Sequence, residues 1–229
     1  MIKINKHSSP TSLITEKQQL ISENSGTLPN DSYINLLSSG TKTDIQEMLL
    51  QEQGYICAYC TGRISLDLDS TTGQKKMKIE HFYCRDTYPD KQLDYDNMLG
   101  VCCGNTGSEL HCDSSKKNQN LLYNPSKRQD FSKLKISYDY SDGKIKSEDN
   151  TFNEELDSIL NLNHILLKNN RLNTLEGIHQ ALHNLGDTRA NKSVLERMLT
   201  NWSAVNQDGK KKPYCGIVIH YLEKRINAL

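Results

Sequence analysis

Seven cysteines occur in this chain, and five of them fall in two short runs, CAYC at 57–60 and VCCGNTGSELHC at 101–112. Nothing else in the sequence restricts the fold as strongly. An odd cysteine count without an apolar leader argues against a disulfide framework and for metal binding or catalysis. The N-terminal MIKINKHSSP has no long apolar run, and the longest one near the other end is GIVI at 216–219. The expectation is therefore a soluble cytoplasmic protein with no membrane segment. Zinc takes four thiolate or imidazole ligands at tetrahedral corners, normally as two short-loop pairs that the fold brings together. Cys57, Cys60, one of Cys102 and Cys103, and Cys112 meet that count. The loop of the second pair is about three times the usual length. A thiol-redox reading of CAYC expects the pair at the start of a helix after a buried strand, whereas here it follows a helix ending at Gly54. His111 is an alternative zinc ligand, and Cys84, Cys103 and Cys215 read as free thiols.

Between the two cysteine runs lies KMKIEHFYC, residues 76–84, whose alternation predicts a strand ending near His81. Neighbouring side chains on a regular strand point to opposite faces. Glu80 and His81 serve one site only if the strand ends, bulges or twists there. Asn97 follows in LDYDNMLGVC, five residues before Cys102.

This order, Cys-x2-Cys, acid-His, Asn, Cys, then Cys112-Asp113-Ser114-Ser115-Lys116, resembles the HNH endonucleases, whose ββα-metal motif is wrapped by a zinc knuckle. The stretches EQGYICAYC, IEHFYCRDTYPD, LDYDNMLGVCCGN and HCDSSKKNQ, with the Asn-rich tail beyond them, resemble more narrowly the PtuB-type HNH subunit of Septu-type and retron-associated anti-phage systems. The sequence departs from the HNH pattern in the GNTGSEL insertion and in Asp113, which stands where His or Asn is usual. Aspartate is a hard oxygen ligand suited to Mg²⁺ or Mn²⁺.

The resemblance implies a metal-dependent endonuclease that hydrolyses phosphodiester bonds in nucleic acid, DNA before RNA, leaving 5′-phosphate and 3′-hydroxyl ends. It selects Cys102 as the third ligand of a structural Zn²⁺ with Cys57, Cys60 and Cys112. It makes His81 the general base, Glu80 and Asp113 the ligands of a catalytic Mg²⁺ or Mn²⁺, and Asn97 the fastener of the loop that orients His81. Lys116 or Lys117, at the start of the motif helix, is expected at phosphate with help from the helix N-terminus. The implied partners are an ABC/SMC-like ATPase subunit of the PtuA type and, in retron-associated systems, a reverse transcriptase with its RNA–DNA. Lys+Arg and Asp+Glu are 28 each, for a formal net charge of zero. A protein gripping nucleic acid unaided is usually basic, so neutrality fits a nuclease whose substrate is delivered by another subunit. The competing function is a non-catalytic zinc-stabilised module that binds nucleic acid or protein. Such a module has no use for Glu80, His81 and Asp113 together.

The rest of the chain reads as α+β. Residues 1–54 form a loose lead-in with a helix near 15–21 and a second helix with a capping box at Thr43 and Gln46, ended by Gly54. Residues 55–130 hold the nuclease core. Residues 131–229 carry a β-hairpin and a mainly helical region packed as one unit with that core. The hairpin is read from alternation of Leu134, Ile136, Tyr138 and Tyr140 about an Asp142-Gly143 turn. Four apolar stripes at helical spacing follow: Phe152, Leu156, Ile159, Leu160; Leu172, Leu175, Ile178, Leu182, Leu185; Val194, Leu195, Met198, Leu199, Trp202; and Ile217, Val218, Tyr221, Leu222, Ile226. Helix–helix packing accounts for them. His179 and His183 have a helical metal-binding spacing but no third ligand nearby, and lysines 210–212 read as a solvated turn.

Overall fold

The structure is a computed structural model that describes residues 1–70, 73, 75–104, 109–184 and 191–229. It is a mixed helix-and-sheet architecture with two small antiparallel sheets. No helix among the described residues is long and apolar enough to cross a membrane.

The first helices build one side of the molecule. Helix α1 covers Thr11–Glu23, longer at both ends than its apolar positions suggested. Helix α2 covers Ser39–Gln53 and is capped by Ser38, not Thr43. Ser38 lies in extended backbone, and its Oγ accepts the Thr41 N–H at 3.1 Å. Thr43 is already inside the helix, where its hydroxyl bonds back to the Ser39 carbonyl. Gly54 closes α2 at φ +63°, a left-handed position where a side chain would also strike Lys211.

Strands β1 (Lys78–His81) and β2 (Met98–Val101) pair antiparallel, with Glu80 opposite Leu99 and His81 opposite Met98. Cross-strand partners share a face, and here the two faces meet different cores. Leu99 packs with Met77, Val101 and the cysteines in the larger core, which continues to Phe152, Leu156 and Leu222. Met98 packs with Leu13, Ile45, Leu49 and Leu93 in a smaller core under α1 and α2. The hairpin is thus the partition between the two cores, and β1 ends at His81, as the alternation predicted.

Beyond β2 come helix α3 (Asp113–Lys116), only four residues long, and α4 (Arg128–Leu134). The hairpin β3 (Ile136–Tyr138) and β4 (Ile145–Ser147) is shorter than the sequence pattern suggested, because Leu134 ends α4 instead of starting a strand. The predicted helical stripes lie on α5 (Asn150–Ser158), α6 (Ile165–Asn184), α7 (Lys192–Ser203) and α8 (Cys215–Asn227). Phe152, Leu156, Leu175, Leu195, Ile217, Val218 and Leu222 are buried in the larger core, while Leu185 lies outside the described residues. Arg171 of α6 is buried and donates to the Gly143 and Leu162 carbonyls, tying the hairpin turn to the helices.

Candidate metal centre and the cleft beside it

The CAYC loop is folded by its own backbone. The Cys57 N–H donates to the Gly62 carbonyl, Thr61 N–H to the Cys57 carbonyl, and Gly62 N–H to the Cys60 sulfur at 3.4 Å. A further bond from Ala58 N–H to the Gly100 carbonyl ties this loop to β2. That tie brings Cys57 and Cys60 beside Cys102, which leaves β2 one residue after its end. The long second loop is closed at its base, where His111 N–H donates to the Gly104 carbonyl at 2.9 Å. Gly104 sits at φ +71° with its Cα so close that a Cβ would lie 2.2 Å from the His111 oxygen, which requires glycine there. Residues 105–108 of the GNTGSEL insertion lie outside the described residues. Cys112 is held from the C-terminal half by its N–H bond to the Leu160 carbonyl, 2.8 Å.

The four sulfurs of Cys57, Cys60, Cys102 and Cys112 all lie within 4.8 Å of one another. Corners 2.3 Å from a central zinc are separated by about 3.8 Å. Cys57 to Cys112 and Cys60 to Cys102 are each 3.8 Å. Burial, and then the neighbouring thiols, push Cys112 well above the ordinary thiol range. A bound cation would favour ionisation of all four thiols together. The arrangement is compatible with structural zinc, and Cys102 is the member of the adjacent pair that joins it. The Cys103 thiol instead contacts the Lys75 carbonyl. His111 is not one of the four corners; its Nδ1 lies 3.2 Å from the Cys112 sulfur, in a position to support that ligand.

On the other side of Cys112 a cleft of about 400 Å³ is lined by Lys78, Glu80, His81, Cys84, Arg85, Asp113 and Lys117, among others. Glu80 is buried, and its Oε1 accepts the Tyr59 hydroxyl at 3.0 Å. Tyr59 lies inside the CAYC loop, so the cysteine cluster and the cleft share a hydrogen bond. Lys116 is fully buried with its ammonium 2.8 Å from the same oxygen, although the approach is off hydrogen-bond geometry and no other acceptor among the described residues reaches it. Burial, then hydrogen bonding and repulsion from Asp113, hold Glu80 well above the usual carboxylate range. Two carboxyl groups this close favour a shared proton, or a cation in its place. Lys78 contacts Asp113 at 3.8 Å and donates to Ser114 Oγ.

His81 is buried, and burial lowers its imidazole to about 4, so the ring is neutral at physiological pH. Its Nε2 lies 2.9 Å from the Gln92 carbonyl, an acceptor only, so that nitrogen carries the proton and Nδ1 keeps the lone pair. The Gln92 side chain accepts the Tyr33 N–H and donates to the Pro29 carbonyl. Tyr33 in turn meets the His81 ring edge-on at 4.6 Å. The lead-in segment thus packs directly on the histidine. Asn97 is buried and does not line the cleft. Its side chain bonds the Tyr83 N–H and carbonyl and the Lys91 carbonyl, fastening the β1–β2 connection.

The predicted residues do not all converge. Lys116, expected at phosphate, is instead a buried partner of Glu80, and α3 is a single turn with no developed dipole. Lys117 is exposed at the cleft rim. His179 and His183 share a surface of α6, but the four-cysteine cluster is the metal-ligand group found among the described residues. Lysines 210–212 border a larger cleft of about 770 Å³. There Lys211 and Lys212 donate to the Ser203 and Asn201 carbonyls, capping α7. Tyr59, Tyr33, Gln92 and Arg85 carried no signal in the sequence pattern, since each acts through a contact distant along the chain or between unlike motifs.

No family model matches the chain. Over 120 residues it is 32% identical to Septu protein PtuB of Bacillus thuringiensis, and the match covers 51% of this chain and 40% of that protein. The similarity supports a Septu-type relationship.

Proposed function

We propose that this chain is a metal-dependent HNH endonuclease that hydrolyses phosphodiester bonds of nucleic acid, DNA before RNA, as effector of an anti-phage defence complex with an ATPase partner. The observation that carries the reading is the convergence of Glu80, His81 and Asp113 on one cleft, beside a four-cysteine cluster suited to zinc. In this reading β1, β2 and α3 are the ββα-metal element, within a core of residues 55–130. The similarity to a Septu protein supports the defence role and is compatible with an ATPase partner, and lends no support to a retron partner.

His81 acts as general base, taking the proton of the attacking water at Nδ1 while the Gln92 carbonyl holds the opposite nitrogen. Asp113 and the Glu80 oxygen not engaged by Tyr59 and Lys116 are the hard donors that fit Mg²⁺ or Mn²⁺. When bound, such an ion polarises the phosphodiester and stabilises the leaving 3′-oxygen. Asn97 keeps the β1–β2 connection in place, and Lys117 contacts the nucleic-acid backbone at the rim.

The test is cleavage of plasmid DNA and tRNA by zinc-loaded protein with Mg²⁺ or Mn²⁺. Cleavage is expected to stop with EDTA and to fall about 10²–10⁴-fold in His81→Ala, with zinc content unchanged. A His81→Ala protein that cleaves at the wild-type rate sinks the mechanism, and absence of any cleavage leaves the non-catalytic zinc module.

A further inference from the structure

The roles above leave Arg85, a cation of the cleft, unused. It follows the His81 segment, lines the cleft with Glu80, His81 and Asp113, and forms no ion pair among the described residues. Its Nη1 is buried without a hydrogen-bond partner. A buried guanidinium donor left unpaired is costly, and native structures rarely tolerate one without a ligand to satisfy it. The group is also held in place: its central carbon lies 4.8 Å from the Tyr33 ring centroid, and the same ring packs on His81. Tyr33 therefore sets the guanidinium and the imidazole relative to each other. The other cleft cations are placed differently, since Lys78 is engaged by Ser114 and Asp113 and Lys117 is exposed at the rim.

We propose that Arg85 is a substrate-binding residue that holds a non-bridging oxygen of the phosphodiester in the cleft it lines with the Glu80 and Asp113 carboxylates. The planar fork of guanidinium suits a phosphate oxygen pair in a way an ammonium does not. Acids and a fixed cation lining one cleft would let it take both a divalent ion and the phosphate. This proposal rests on the nuclease reading.

The experiment uses the full zinc-loaded chain with Arg85→Ala, Arg85→Lys and His81→Ala variants. A fluorescent DNA duplex is titrated in Ca²⁺ over a salt series, and its cleavage is followed in Mg²⁺. Arg85→Ala should weaken binding about tenfold and reduce the salt slope by about one, and should slow cleavage about a hundredfold. Arg85→Lys should restore the slope but only part of the rate, because the fork is lost. Wild-type slope and cleavage in Arg85→Ala, with His81→Ala inactive, overturns the proposal and leaves the nuclease reading standing. Loss of zinc or of cooperative melting in both Arg85 variants makes it a structural cation and overturns it as well. A wild-type protein that neither binds nor cleaves the duplex or tRNA removes the nuclease reading, and Arg85's role with it.

Discussion

Cys112 and Asp113 are consecutive residues, yet they face two sites of opposite character. Cys112 completes a buried cluster whose four sulfurs are spaced like the corners of one tetrahedron. Asp113 borders a cleft open to solvent, where carboxylates crowd together and an Arg85 donor lacks a partner among the described residues. A site with all four corners supplied by protein has no position left for substrate and serves the fold. A cleft with unpaired donors and crowded acids is arranged for something that arrives later. Tyr59, the Ser114 bond to the Cys103 carbonyl and the Cys112-Asp113 backbone join them, so the contrast is testable by disturbing one site and watching the other.

The largest effect is expected from the cluster. Cys112→Ser, or extraction by a strong chelator, should abolish zinc content and cooperative melting, on the order of 10 kcal/mol of lost metal-linked folding energy. Calorimetry with metal analysis measures this, and a Cys112→Ser protein that melts like wild type refutes a structural zinc. Next comes Lys116→Met, which leaves buried Glu80 without its cation. A loss of about 3–5 kcal/mol is expected in urea unfolding, with zinc retained, and Glu80→Gln in the same chain should recover part of it. No recovery in the double variant would mean that Lys116 matters by packing alone. Tyr59→Phe removes a hydrogen bond between the sites and should cost about 1–2 kcal/mol. If cleavage falls in that variant while zinc stays bound, the bond positions Glu80; if zinc leaves first, Tyr59 belongs to the cluster. The smallest effect separates the adjacent cysteines: Cys103→Ser should stay within about 0.5 kcal/mol of wild type, whereas Cys102→Ser should release zinc.

Legibility in the sequence followed the range of each interaction. CAYC and Gly54 were readable because a knuckle and a helix C-terminus are closed by residues within a few positions of each other. The helical stripes were readable because burial imposes its own period on the chain. The cap at Ser38 was misassigned, since Thr43 carries the same side-chain chemistry and only backbone conformation separates them. Leu134 was counted into a strand because apolar alternation continues into the last turn of α4. Lys116 was misread for a different reason. A lysine at the start of the motif helix was placed at phosphate, whereas its burial depends on Glu80, which arrives from β1.

By itself the amino-acid sequence determined which chemistry is present: enough thiols at knuckle spacing for one zinc, an acid-His pair at a strand end, and an aspartate next to the last cysteine. The tertiary structure alone decided the assignments. It turned Lys116 inward to Glu80, set Nδ1 as the lone-pair nitrogen of His81, and laid Tyr33 between that ring and Arg85. The reason is that residue type sets what a group can donate, accept or ligate, whereas its protonation and partner depend on burial and on atoms contributed from far along the chain.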